Sequence, residues 1–260
     1  MLVHKVNEWV ESGKSSFQLH VSDFTQMLAG DMNETQVLIR ELLILAGLGK
    51  IKEPLVSYDP DIIKFLNRRD YFSNVYGPTL RKPEVISNLT KKFKESGCGT
   101  LTFVYEYNLN VTLPPMFWHM TFIKTKEDMM DVHVFGSHTY GYRDLIFELY
   151  NVMTIWRYVT HMFSDWVLST GTMTVTLMLE HELGAWQAPV EEQMIRDVDG
   201  EMLVFPIPTP AELQEIMRLE EVIRMNRPAI KPSFTVLLDP AYEEIVNHIF
   251  HYWKGSGGAK

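Results

Sequence analysis

The chain has 260 residues, 46% of them hydrophobic and 12% aromatic, which is enough to bury a substantial core. A net charge of -9 gives no long-range attraction to polyphosphate and weighs against a duplex-binding role, although a local basic patch remains compatible with it. The lone cysteine, Cys98, excludes an internal disulfide, and no Cys/His spacing marks a zinc site. No run approaches about 18 uninterrupted apolar residues, so a reducing, cytoplasmic setting with no membrane span is expected.

Residues 33–48, NETQVLIRELLILAGL, place Val37, Leu38, Leu42, Leu45 and Leu48 near helical spacing after cap-capable Asn33 and Thr35. This predicts a helix carrying Arg40 and Glu41. A shorter helix over 58–70 opens at Asp59-Pro60, and a third over 83–95 begins with a proline and ends at Gly97. Between them Tyr76-Gly77-Pro78 reads as a turn, and Gly97-Cys98-Gly99 reads as another.

The run 100–107, TLTFVYEY, is strand-like and is followed by a loop holding Leu113-Pro114-Pro115. Two more strands, 117–123 and 130–140, flank the polar turn KTKED, so a two- or three-stranded antiparallel sheet is expected. Residues 144–166 predict a long buried helix, and TMTVTLMLE over 172–180 returns to strand character. Past Gln187 the pattern weakens: PIPTP is a break, 211–225 a charged helix, and 233–238 a strand. With no internal repeat, 1–254 is expected to form one domain and the GSGGAK of 255–260 a flexible tail.

Four segments, in chain order, resemble thymidylate synthase and its deoxynucleotide hydroxymethylase relatives. Arg40-Glu41-Leu42-Leu43 is similar to the helix bearing the family's proton-managing glutamate. Val75-Tyr76-Gly77-Pro78-Thr79-Leu80-Arg81 is similar to its YG-x-x-x-R segment. Leu113-Pro114-Pro115-Met116 resembles the LPPC element that presents the catalytic thiol, and 171–183 resembles the strand ending in HxY, here His181-Glu182-Leu183. The resemblance implies an α+β fold with a mixed or antiparallel sheet packed by a long central helix and further helices, and a homodimer.

It also implies a site. Glu41 and His181 take the catalytic positions, while Tyr76, Arg81, Tyr105, Tyr107, Met116, His119, Ser137, His138 and Asn151 are the substrate-binding candidates. Thr139, Asp144 and Asn151 are the stand-ins for the family's base-reading aspartate and asparagine. The family's reaction starts with a thiolate adding to C6 of the pyrimidine, and the thioether of Met116 cannot deprotonate to do so. Cys98, eighteen residues upstream, is expected to be a bystander thiol.

The arginine pair that grips the substrate phosphate is replaced by uncharged Cys98-Gly99-Thr100, a later arginine by Gly136, and the HxY tyrosine by Leu183. Each lost charge-assisted bond is worth about 1.5–3 kcal/mol. A pyrimidine or modified pyrimidine, including one already in DNA as in viral base hypermodification, is therefore the expected substrate, in the host cytoplasm if the source is viral. An inactive homologue serving as a ligand-binding or protein-interaction module is the alternative, and a nucleotide methylase or hydroxymethylase with a relocated nucleophile is a third. The sequence names no cofactor and no metal.

Overall fold

The computed structural model describes residues 5, 8–9, 11–14, 16–20, 76–103, 117–138, 142–179 and 208–255. The helices expected over 33–48 and 58–70 lie outside them. Five strands form one sheet in the order β1-β5-β4-β3-β2: β1 (Ser16–His20), β2 (Cys98–Thr102), β3 (Phe117–Lys124), β4 (Met129–His138) and β5 (Ser169–Leu179). The β2-β3-β4 meander is antiparallel, but β5 runs parallel to β4 and β1 pairs antiparallel with β5. The sheet is thus larger than expected and mixed.

A parallel pair needs a long crossover, and α3 (Tyr142–Met162) supplies it between β4 and β5. Two helices precede the meander. α1 (Tyr76–Leu80) is one helical turn where a non-helical turn was expected: the Arg81 N–H donates to the Gly77 carbonyl at 3.1 Å. Pro78 is tolerated there because a first-turn N–H has no intrahelical partner.

α2 (Pro83–Ser96) starts on a proline and stops at Gly97, which adopts a left-handed φ of 68° and donates its N–H to Phe93 at 2.8 Å. The helix cap does the turning, so β2 begins at Cys98 and not two residues later. At Gly99 a Cβ would meet the Leu89 Cδ1 at 2.6 Å, where α2 lies on the sheet, so a side chain there would displace the tip of Leu89.

Alternation divides the sheet into two faces. Leu19, Leu101, Met120, Phe122, Val132, Val134, Met173 and Val175 point inward to the core beneath α2 and α3. The other face carries side chains in register across all five strands. One row is Thr102, His119, Phe135, Thr176 and Ser16, and the next is Thr100, Thr121, His133, Thr174 and Gln18. These residues are exposed or half-buried, and no described helix covers them.

The C-terminal part is a helical pair, α4 (Pro210–Asn226) and α5 (Pro240–Gly255). Thr209 and Glu212 form a reciprocal capping box at the start of α4. The strand expected over 233–238 is absent; its backbone bonds go to carboxylates on α4. The Thr235 N–H donates to Glu215 Oε1 at 2.6 Å, its hydroxyl to Oε2 at 2.7 Å, and the Asp239 N–H to Glu212 Oε1 at 2.9 Å. α5 was missed at the sequence level despite its Asp-Pro start and the apolar spacing of Tyr242, Ile245, Val246, Ile249, Phe250 and Trp253, all of which are buried.

Two stability predictions follow from these contacts. Arg218, donating through Nε at 2.8 Å and Nη2 at 2.7 Å, is the main cause that holds the buried Glu215 carboxyl down, from an ordinary 4.5 to about 2; the Thr235 bonds add to it, against the opposing effect of burial. Because the folded group ionises below its unfolded value, its contribution is complete above pH 4.5 and is lost as pH falls toward about 2. Glu215→Gln is expected to cost about 1.5–3 kcal/mol at pH 7, and urea melts should converge on wild type as pH drops through that window. At the β4–β5 bulge, the Asp131 Oδ1 accepts the Thr172 N–H at 2.7 Å and occupies the place of a Cβ on Gly171. Gly171→Ala should destabilise by about 1–3 kcal/mol, and a Gly171→Ala/Asp131→Ala double variant should recover part of it in the same melts.

Candidate functional site

The placement of α3 is set by its aromatic side. The Trp156 indole N–H donates to the Met130 carbonyl of β4 at 2.9 Å, and the Thr160 hydroxyl lies 3.4 Å from the Met130 Sδ. Residues 149, 152, 153, 156, 159 and 163 share that sheet-facing side, at about 100° of rotation per residue. Asn151, Thr154 and Tyr158 fall on the opposite side, at i, i+3 and i+7. All three are buried nonetheless, with relative exposures of 2%, 0% and 4%.

Arg81, at the end of α1, is half-buried and interacts electrostatically with Tyr158. Burial pushes the Tyr158 hydroxyl up to about 12, and the nearby guanidinium opposes that rise. Burial likewise lowers Arg81, against the pull of Tyr158. At neutral pH the tyrosine is therefore an uncharged hydroxyl beside a cation. One helical turn earlier, Tyr76 is buried with its ring edge-on to Phe103, centroids 4.8 Å apart and planes at 80°. The result is an internal polar face made of an amide, two hydroxyls and a guanidinium, set among apolar side chains.

Of the residues singled out from sequence, the structure brings Arg81 to the face of α3 that carries Asn151, with Tyr76 on the same short helix. His119 is not there. It stands on the opposite face of the sheet, with Nδ1 3.2 Å from the Thr102 hydroxyl, Nε2 3.3 Å from the Thr121 hydroxyl and its ring beside Phe135. The bulge between Phe117 and His119 shifts the register of β3, and His119 pairs with Thr102 on the outer row. Ser137 and His138 close β4, paired with Met178 and Leu179. Glu41, Tyr105, Tyr107, Met116 and His181 lie outside the described residues. Thr154 and Tyr158 were not anticipated; the available signal was polar residues spaced i, i+3, i+7 from Asn151 within an apolar helix.

Among the described residues no group of His, Cys, Asp and Glu side chains is arranged to hold a metal ion, and no helix is long and apolar enough to cross a membrane. No protein-family profile matches the sequence, and no curated protein matches it. The thermostable thymidylate synthase A of Bacillus subtilis is similar in structure over 63% of this chain and 64% of its own, with 11% sequence identity and a TM-score of 0.38. The chain therefore spans less than two thirds of that protein's length.

Proposed function

We propose that the chain is a thymidylate synthase-like enzyme acting on a pyrimidine or modified pyrimidine, one carried within DNA and not supplied as a free mononucleotide. The observation that carries this proposal is the buried face of α3, where the Asn151 amide lies on the same side as the neutral Tyr158 hydroxyl, with Arg81 adjacent. An amide both donates and accepts, which suits a ring edge of alternating carbonyl and N–H groups. The order of the four family-like segments along the chain supports the same substrate class.

In this proposal Glu41 manages protons at the ring and His181 assists it, while Tyr105 and Tyr107 stack on neighbouring bases. Met116 lends apolar contact only, so bond formation at the ring does not pass through a sulfur adduct there. A base within DNA needs no grip on a terminal phosphate, in keeping with the uncharged start of β2 at Cys98, Gly99 and Thr100. Single-stranded DNA containing modified pyrimidines is expected to raise the melting temperature, and Asn151→Ala should abolish that shift. Glu41→Gln should remove turnover while leaving melting unchanged. If pyrimidine mononucleotides, folates and such DNA all fail to shift the melt, the enzymatic proposal falls and an interaction module takes its place. A mononucleotide shift that Arg81→Ala removes would favour a nucleotide methylase or hydroxymethylase instead.

We also propose a homodimer formed through the open face of the sheet. Copies that each carry a charge of -9 repel one another, and the two rows of hydroxyl, imidazole and aromatic side chains on this face contain no carboxylate or ammonium group. Phe135, 38% exposed within the first row, with Trp118 exposed nearby, supplies apolar area. Sedimentation equilibrium should give a dimer for wild type and a monomer for Phe135→Glu, with equal far-ultraviolet circular dichroism. A monomeric wild type at micromolar concentration would refute the interface.

A further inference from the structure

We propose that Thr154 is a ligand contact, its hydroxyl reserved for the edge of a neutral cyclic amide or imide; this rests on the ring-binding function proposed above and assigns a further residue to that site. The Thr154 side chain is fully buried, and its Oγ1 has no hydrogen-bond partner among the described residues. A threonine inside a helix ordinarily returns its hydroxyl to the carbonyl four residues back. Thr160 on the same helix does so, donating to the Trp156 carbonyl at 2.8 Å. Thr154 does not, so its hydroxyl is left available to a group outside the helix.

A buried hydroxyl without a partner is a liability that valine, of the same shape and β-branching, would remove. Its position identifies what would satisfy it. Thr154 stands one turn from Asn151 on one side and one turn from Tyr158 on the other, along a line roughly 10 Å long at the helical rise. The three groups are an amide, a hydroxyl and a hydroxyl kept neutral, with no carboxylate among them to favour a cation. Each hydroxyl can donate to a carbonyl or accept from an N–H. A planar lactam or imide presents a carbonyl and an N–H side by side on one edge, which Thr154 and one neighbour one turn away would meet together.

The test uses purified full-length protein, with uracil and succinimide as probes in ligand-observed NMR titrations. Wild type should bind both. Thr154→Val should weaken binding about 5–10-fold, while Thr154→Ser, which keeps the hydroxyl, should retain it. Without ligand, Thr154→Val should melt at or above wild type, by up to roughly 2–4 °C. Equal probe binding by wild type and Thr154→Val would overturn this assignment and leave the function proposal standing. A Thr154→Val protein that melts lower or fails to fold would also overturn it, because the hydroxyl would then be holding the fold. A wild type that binds neither these probes nor the pyrimidine DNA would sink the function proposal and this assignment together.

Discussion

Parallel pairing of β4 with β5 is the constraint on which the rest of the described structure depends. Two adjacent strands that point the same way cannot be joined by a tight turn, so the chain must travel back along the sheet between them. α3 makes that journey, and the bond from the Trp156 indole to the Met130 carbonyl fixes which side of it faces the strands. Once that side is chosen, helical geometry decides the other. Asn151, Thr154 and Tyr158 are carried to the far side of a helix whose described side chains are almost all buried, and polar groups end up where water does not reach. Strand alternation and the register shift in β3 keep His119 apart from them, in the outer row of the sheet.

The C-terminal pair follows a different logic, in which carboxylates and not apolar periodicity arrange the chain. Glu212 ties the start of α4 to the start of α5, and Glu215 gathers Arg218 and both polar groups of Thr235. A segment with strand-like composition is thereby held as an ordered irregular connection. Every backbone group must find a partner, and here side chains provide what a neighbouring strand would have provided.

This contrast explains how much could be read from residues alone. The meander, α2 with its Pro start and Gly stop, α3 and α4 were legible because hydrophobic period and punctuation act locally. β1 was not, since SFQLH is too short to stand out, and its strand character depends on pairing with Thr172 to Thr176. The irregular path of 233–238 depends on Glu215, 20 residues before Thr235 in sequence, beyond the reach of any local pattern. Of the candidate residues, Arg81 was named from a family-like segment and Asn151 as a stand-in for the family's base-reading asparagine. Tyr158 and Thr154 required knowing which way α3 is turned, and His119 required the register shift in β3.

The hydroxyl rows on the open side of the sheet bear on how the molecule comes together in time. A bare surface of threonines keeps its bonds to water, so leaving it uncovered costs a lone chain little. Folding then need not wait for a second molecule, and pairing of folded copies adds stability that rises with concentration. Any pairing through that side becomes a later equilibrium between finished molecules, set by abundance and reversible on dilution.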